Sequence, residues 1–453
     1  MRYFTPVLLG GLLLMTIGCA PLVTDSSQPY ATVPQTGFGC LTTTTLVNMP
    51  ADDLDPVWSP DGRSMAYVGH SDGNPEVYLA RWDDSSPFAT LTNLSNTPED
   101  DYQPHWSPDG RYLAWLHRQD QYTWRPVEIR VTDLDSGQVQ IAAPGYETRW
   151  FLGWVADSQA LVYRQDNAFY VYNVAAQEGR LFHEVGTESP GVFWSLSSTL
   201  SPDGRWLLES SRNAEGVTRT NLVQVETGNQ RILNMPDGDA ISFPAWSPDS
   251  RYAALTYNHD SQLTLWLLNA ETGDMKLLHE DEAPRYITSM DFSSDGRLAW
   301  VLTDNADLLT TIVYLTDPQT GETRPLFNLE HSIERVVWSP VDPDVLAFRT
   351  FAGLYVADAK SGLLSELFQG VGKLLDIRWS PAGTALAVQV NNQWAYPYGT
   401  ALVDLASRDV FFYNQAAIGM WSPDGKRLTV DYIPFDWQGK DILSINFCDW
   451  KHD

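Results

Sequence analysis

The stretch Trp106–Leu116 reads WSPDGRYLAWL, and its opening phrase is written again along the whole chain: WSPDG at Trp58 and Trp421, WVADS at Trp154, LSPDG at Leu200, WSPDS at Trp246, FSSDG at Phe292, WSPVD at Trp338 and WSPAG at Trp379. A catalytic motif normally occurs once, so a phrase that returns every 41–48 residues is architectural. Pro108 presets φ for the first central position of a type I turn, Asp109 suits the second, and Gly110 takes the left-handed position that follows. The result is a tight hairpin. The apolar run after it, YLAWL, and its equivalents SMAYV, ALVYR, YAALTY, VLAFR and ALAVQV supply a strand buried on both faces. A third strand follows, as in EVYLARW, EIRVTDL and LTLWLLN, then glycine turns such as DLDSGQ and AETGDM, then an outer fourth strand.

Four short antiparallel strands at this period are the blade of a propeller, and a blade cannot bury its faces alone. The repeats predict an all-β fold, a single β-propeller domain over residues 40–453 with nine four-stranded blades; eight blades with one atypical repeat is the alternative. The last repeat runs out after its third strand. Because CLTTTTLVNM (40–49) precedes the first repeat without a blade of its own, it is expected to supply the missing outer strand and close the ring. The third, sixth and seventh phrases lose a Pro or Gly, and their turns are expected to differ in geometry.

The run from Pro56 to Asp83, PVWSPDGRSMAYVGHSDGNPEVYLARWD, resembles the TolB-like, or PD40, propeller repeats, which are WD40-like. The resemblance covers the chain from about residue 41 onward. It is specific for fold and weak for activity, because that repeat family includes binding propellers, assembly factors and accessory domains of peptidases.

The first twenty residues, MRYFTPVLLGGLLLMTIGCA, carry one Arg and an apolar run from Val7 to Ile17 that is too short to span a bilayer. Residues 1–18 read as an export signal, and TIGC resembles the bacterial lipoprotein cleavage box, which implies Cys19 as the lipidated first residue of the mature protein. An ordinary signal peptide cut nearby is the other reading. Residues 19–39, rich in Pro, Ser, Thr and Gly without a period, read as a flexible tether. The implied location is the cell envelope outside the cytoplasmic membrane, periplasmic or at the surface, with a lipid anchor as the only membrane attachment. In that compartment Cys40 and Cys448, on strands that closure would bring together, are expected to form a disulfide.

The chain has 57 acidic residues against 29 basic ones, a net charge of −28, and a field of that sign repels a phosphate backbone. Nucleic acid is thereby excluded as a partner. The Asp of each SPDG is explained by its turn. GHSDG (69–73) matches the G-x-S-x-G nucleophile pattern at Ser71, but strands on both sides replace the strand–helix context that the elbow needs. The eight His residues are dispersed, no H-E-x-x-H occurs and the Cys residues lack ligand spacing, so no metal, cofactor or catalytic residue is assigned.

What remains is a surface. The loops joining fourth to first and second to third strands emerge on one face, opposite the SPDG turns. That face collects Asp53, Asp100, Asp101 and further carboxylates, which favours a cationic ligand if they cluster and is otherwise solvated loop charge. Long second-to-third loops in the eighth, ninth and second repeats would place Tyr122, Trp124, Trp394, Tyr396, Tyr398, Phe435 and Trp437 on one arc, either covering blade ends or forming a stacking platform. The expectation is a non-enzymatic propeller that binds a protein or peptide there. The alternative is a propeller hydrolase or lyase acting on an extracellular glycan or peptide.

Overall fold

The computed structural model describes residues 41–447 apart from 48–52, 71–72, 83–89, 119–127, 144–148, 186–193, 213–217, 234–241, 260–261, 282–284, 305–309, 370–371, 393–395, 415 and 433–440. The described strands form nine four-stranded antiparallel sheets, each built from strands consecutive in sequence except the last. In blade order, the first and innermost strands are Asp53–Trp58, Asp100–Trp106, Arg149–Trp154, Trp194–Leu200, Ser242–Trp246, Arg285–Phe292, Ile333–Trp338, Lys373–Trp379 and Ala416–Trp421. Every one of them ends on the lead residue of the repeated phrase.

The phrase makes the turn by a shared set of bonds. Ser107 Oγ donates to Asp109 Oδ1 at 2.6 Å and accepts the Tyr112 N–H at 2.9 Å, while Gly110, at φ +73°, donates its N–H to the Ser107 carbonyl at 2.9 Å. The same serine hub recurs at Ser59, Ser201, Ser247 and Ser422. In the third and fifth turns Ser158 and Ser250 stand where Gly is usual, both at φ +61°. Their hydroxyls accept the N–H of Asp109 and Asp203, each in the preceding blade, at 3.0 Å. The third turn keeps the usual closing bond, Val155 N–H to the Ala160 carbonyl, so its expected departure is not observed. The sixth closes one residue earlier (Ser293 to Arg297) and the seventh one residue later (Ser339 to Val345), as the lost Pro and Gly foretold.

The core is not central. Nine apolar clusters each lie between two adjacent blades, from Ala66, Val77, Leu113 and Trp115 between the first and second to Trp58, Met65, Tyr67 and Ile442 between the first and ninth. Second strands such as Tyr112–Arg118 and Leu298–Asp304 are buried almost throughout because a neighbour covers each face. Every lead Trp except Trp246 adds a directional bond: its indole N–H donates to the carbonyl one residue before the lead position of the preceding blade. Trp106 reaches Val57 at 3.0 Å, Trp338 reaches Asp291 at 3.0 Å and Trp379 reaches Val337 at 3.1 Å. Trp58 makes this bond to Met420 of the ninth blade at 3.3 Å, which carries the series across the closure.

Closure also uses the N-terminal strand. Leu41–Val47 pairs antiparallel with Asp441–Phe447, Leu41 opposite Phe447, and so becomes the outer strand of the ninth blade. The chain is a nine-bladed β-propeller. Cys19, Cys40 and Cys448 lie outside the described residues.

Candidate binding surfaces

Strand order places the second-to-third and fourth-to-first connections at the end of the ring opposite the serine turns. The second-to-third connections are unequal. They span 119–127 in the second blade and 433–440 in the ninth, but only two residues in the third, fifth and seventh. The eighth differs from the long loop expected there: Ala385–Asn392 and Tyr396–Asp404 pair up to Asn392 opposite Tyr396, so most of that sequence is an extended hairpin. Tyr396 and Tyr398 belong to its third strand. Tyr122, Trp124, Trp394, Phe435 and Trp437 lie outside the described residues, as does Ser71, whose segment runs between the strands Ser64–Gly69 and Glu76–Arg81.

The carboxylates expected to charge this end are in several cases neutralised within the fold. Asp101 is fully buried, contrary to its assignment to an exposed binding face. Its Oδ1 accepts the Trp115 indole N–H at 2.8 Å and lies 2.8 Å from His117 Nδ1, while Oδ2 accepts the Thr97 hydroxyl at 2.7 Å. A buried carboxylate is tolerable when its lone pairs are filled in this way. Asp100 is ion-paired with Arg118 and Glu128 with Arg130. Asp53 opens the first inner strand opposite Gly69. In the fifth and sixth blades Arg285 lies between Asp281 at 3.0 Å and Asp304 at 3.4 Å, and burial lowers the pKa of the adjacent His279, partly offset by Asp281.

His105 and His117, both in the second blade, are not assembled into one site. His117 stands opposite Asp101 at the loop end of the second blade; His105 stands opposite Ala114 near the turn end, its ring stacked on Phe151 at 4.3 Å. Burial lowers the His105 pKa to about 4. No group of three or more His, Cys, Asp or Glu able to hold a metal ion occurs among the described residues. A further buried pair joins the third and fourth blades. Glu209 accepts from Asn221 Nδ2 at 2.9 Å and lies 3.6 Å from His183 Nε2.

A second surface, not anticipated, lies on the inner strands of the sixth to ninth blades. Arg378 Nε donates to Asp376 Oδ2 at 3.0 Å and its Nη1 donates to the Gly419 carbonyl at 2.5 Å. From the seventh blade, Arg335 Nε approaches Asp376 Oδ1 at 3.7 Å. The two arginine side chains remain 53% and 39% exposed although they sit on strands that line the axis. Asp291, on the sixth inner strand, is half-buried and accepts the Trp338 N–H at 2.7 Å; desolvation raises its pKa to about 6 against the pull of two backbone N–H groups and Arg335. The signal was present in the sequence as charge one and three residues before the lead position, at Asp291, Arg335, Asp376 and Arg378. It gains meaning only once adjacent inner strands are known to touch.

No protein-family model and no curated protein matches the chain. Among solved structures it is similar to dipeptidyl peptidase 4 of Porphyromonas gingivalis, at 12% identity and TM-score 0.59 over 87% of this chain and 68% of that one. It is also similar to a eukaryotic initiation factor, at 14% identity and TM-score 0.58 over 81% and 88% of the two chains. An oligogalacturonate lyase in complex with manganese aligns over 89% of this chain and 100% of that one at 14% identity, with TM-score 0.46. At these identities the likeness is one of fold, and the class it defines is the β-propeller.

Proposed function

We propose that the chain is a binding propeller that captures a protein or peptide on the face bearing the second-to-third loops, held at the cell envelope by a lipid on Cys19 and acting without catalysis, in the manner its TolB-like repeats imply. The observation that carries this reading is the asymmetry of that face: the long connections of the second and ninth blades and the projecting hairpin of the eighth sit in blades that ring closure makes consecutive with the first. Long connections confined to one sector of a regular scaffold are where such folds place recognition. The pairing of Asp100, Asp101, Glu128 and Asp281 supports structural roles for those groups and a ligand gripped mainly by loop aromatics, which contribute contact area at small entropic cost.

The test is crosslinking followed by mass spectrometry on protein in its native envelope, comparing wild type with a Trp394→Ala, Trp437→Ala double variant. The variant should keep the wild-type circular dichroism and melting temperature while losing most of the crosslinked partner. Equal recovery of the same partner from a normally folded variant would sink the proposal.

A further inference from the structure

The chain is strongly acidic, yet the exposed charge on the inner strands of the seventh and eighth blades is basic. Arg335 and Arg378 flank a single carboxylate, Asp376, which cannot neutralise both. Glu334, the other acid on these two inner strands, is engaged by Arg349 on the neighbouring strand, whose guanidinium also donates to the Leu374 carbonyl at 2.7 Å. Asp291 is committed to the backbone N–H of Trp338.

The two guanidinium groups are held unequally. Arg378 is fixed at both ends, by Asp376 and by the Gly419 carbonyl of the next blade. The Arg335 guanidinium makes no hydrogen bond among the described residues; it approaches Asp376 at 3.7 Å and is electrostatically coupled to Asp291. A planar guanidinium with free N–H pairs matches a carboxylate in a bidentate manner. On the same inner strand as Arg378, Lys373 lies 5.9 Å from the ring of Phe351, which is 55% exposed, so an apolar contact precedes the arginines on the way in from the loop end.

We propose that the inner wall of the seventh and eighth blades binds a carboxylate of a peptide ligand between Arg335 and Arg378. The inference rests on the loop-face reading for the peptide nature of the ligand. An aromatic or aliphatic side chain of the ligand would rest on Phe351, and an acidic side chain or a C-terminal carboxylate would reach the guanidinium pair. Negative charge is favoured here because both guanidinium groups remain partly exposed and Arg335 keeps N–H donors that no acceptor among the described residues fills.

Isothermal titration with tetraglutamate, tetralysine and inorganic phosphate tests the site. Tetraglutamate should bind wild-type protein and bind at least tenfold more weakly to Arg335→Gln and to Arg378→Gln, while Arg63→Gln, in the serine turn of the first blade, leaves it unchanged. Arg335→Gln removes no hydrogen bond within the described fold, so it decides the matter even if Arg378→Gln folds poorly. Absence of tetraglutamate binding, equal binding by the Arg335 and Arg378 variants, or tighter binding of tetralysine overturns the proposal. Phosphate bound as tightly as the peptide and lost in the same variants overturns the peptide assignment. The loop aromatics are untouched in these variants, so loss of partner in Trp394→Ala, Trp437→Ala is independent of tetraglutamate affinity, and either reading can fail alone.

Discussion

Asp291 and His105 occupy the same place in their repeats, one residue before the lead position, and burial moves their titrations in opposite directions. For Asp291 the folded pKa is raised from 3.8 to about 6, so its contribution is fully present below the unfolded value and is lost as pH rises through about 6, at a total cost of about 3 kcal/mol. For His105 the folded pKa is depressed from 6.5 to about 4; its contribution is complete above 6.5 and is lost as pH falls through about 4, again about 3 kcal/mol in all. The two slopes oppose each other between about pH 4 and 6, so wild-type stability is flatter there than either group alone would make it. Asp291→Asn keeps an acceptor for the Trp338 N–H and should gain stability over wild type as pH rises from 4.5 to 7.5, read by urea denaturation. His105→Phe keeps a ring against Phe151 and should gain in the acidic direction instead. A stability difference from wild type that stays constant across the range in either variant would contradict the burial argument.

At the scale of the element, the repeated phrase proves to be two devices in one: a serine-centred turn and an indole bond to the previous blade. The turn was legible from Pro, Asp and Gly alone, because those residues act through local φ preference and side-chain capping. The indole bond was not, because its acceptor lies in the preceding repeat and appears only when blades are stacked. Ser158 and Ser250 show the same limit. A left-handed Ser looks like a defect in sequence, yet each hydroxyl receives a backbone N–H of the preceding blade at 3.0 Å. The indole bond can be weighed by comparing two tryptophans. Trp379 donates to the Val337 carbonyl, whereas the Trp246 indole N–H is buried without a hydrogen-bond partner among the described residues. Trp379→Phe should therefore lose about 1 kcal/mol or more beyond the loss of ring area, and Trp246→Phe should lose only ring area and recover part of it by removing a buried unpaired donor. Equal destabilisation of the two variants in chemical denaturation would show that packing alone explains the lead Trp.

At the scale of the whole molecule, the number of blades and the role of the first strand were readable because each repeat is a local unit and the ninth visibly lacked its outer strand. The inner wall was not readable, since Arg335, Asp376 and Arg378 become one cluster only through the docking of separate blades. Ring closure is also the place where the fold is least redundant. Every other blade is a continuous stretch of chain, whereas the ninth holds its outer strand through the ladder from Leu41–Phe447 to Val47–Ile442 and the cluster that joins Ile442 to Trp58 and Tyr67. That ladder ends with Leu41 opposite Phe447, and the next residues in sequence are Cys40 and Cys448. In an oxidising compartment two thiols carried to one end of an antiparallel pair form a disulfide when their Cα atoms come within about 7 Å. The bond would close a loop of nearly the whole propeller, for which chain entropy gives an upper value of about 6 kcal/mol, with measured gains often smaller. Protein purified without reductant from its native compartment should show no free thiol at Cys40 or Cys448 on alkylation and mass spectrometry, and reduction or a Cys40→Ser, Cys448→Ser double variant should lower the melting temperature without changing the folded spectrum. Two freely alkylated thiols, with a melting temperature indifferent to reductant, would mean that strand pairing and the Trp58 indole bond to Met420 hold the ring shut unaided.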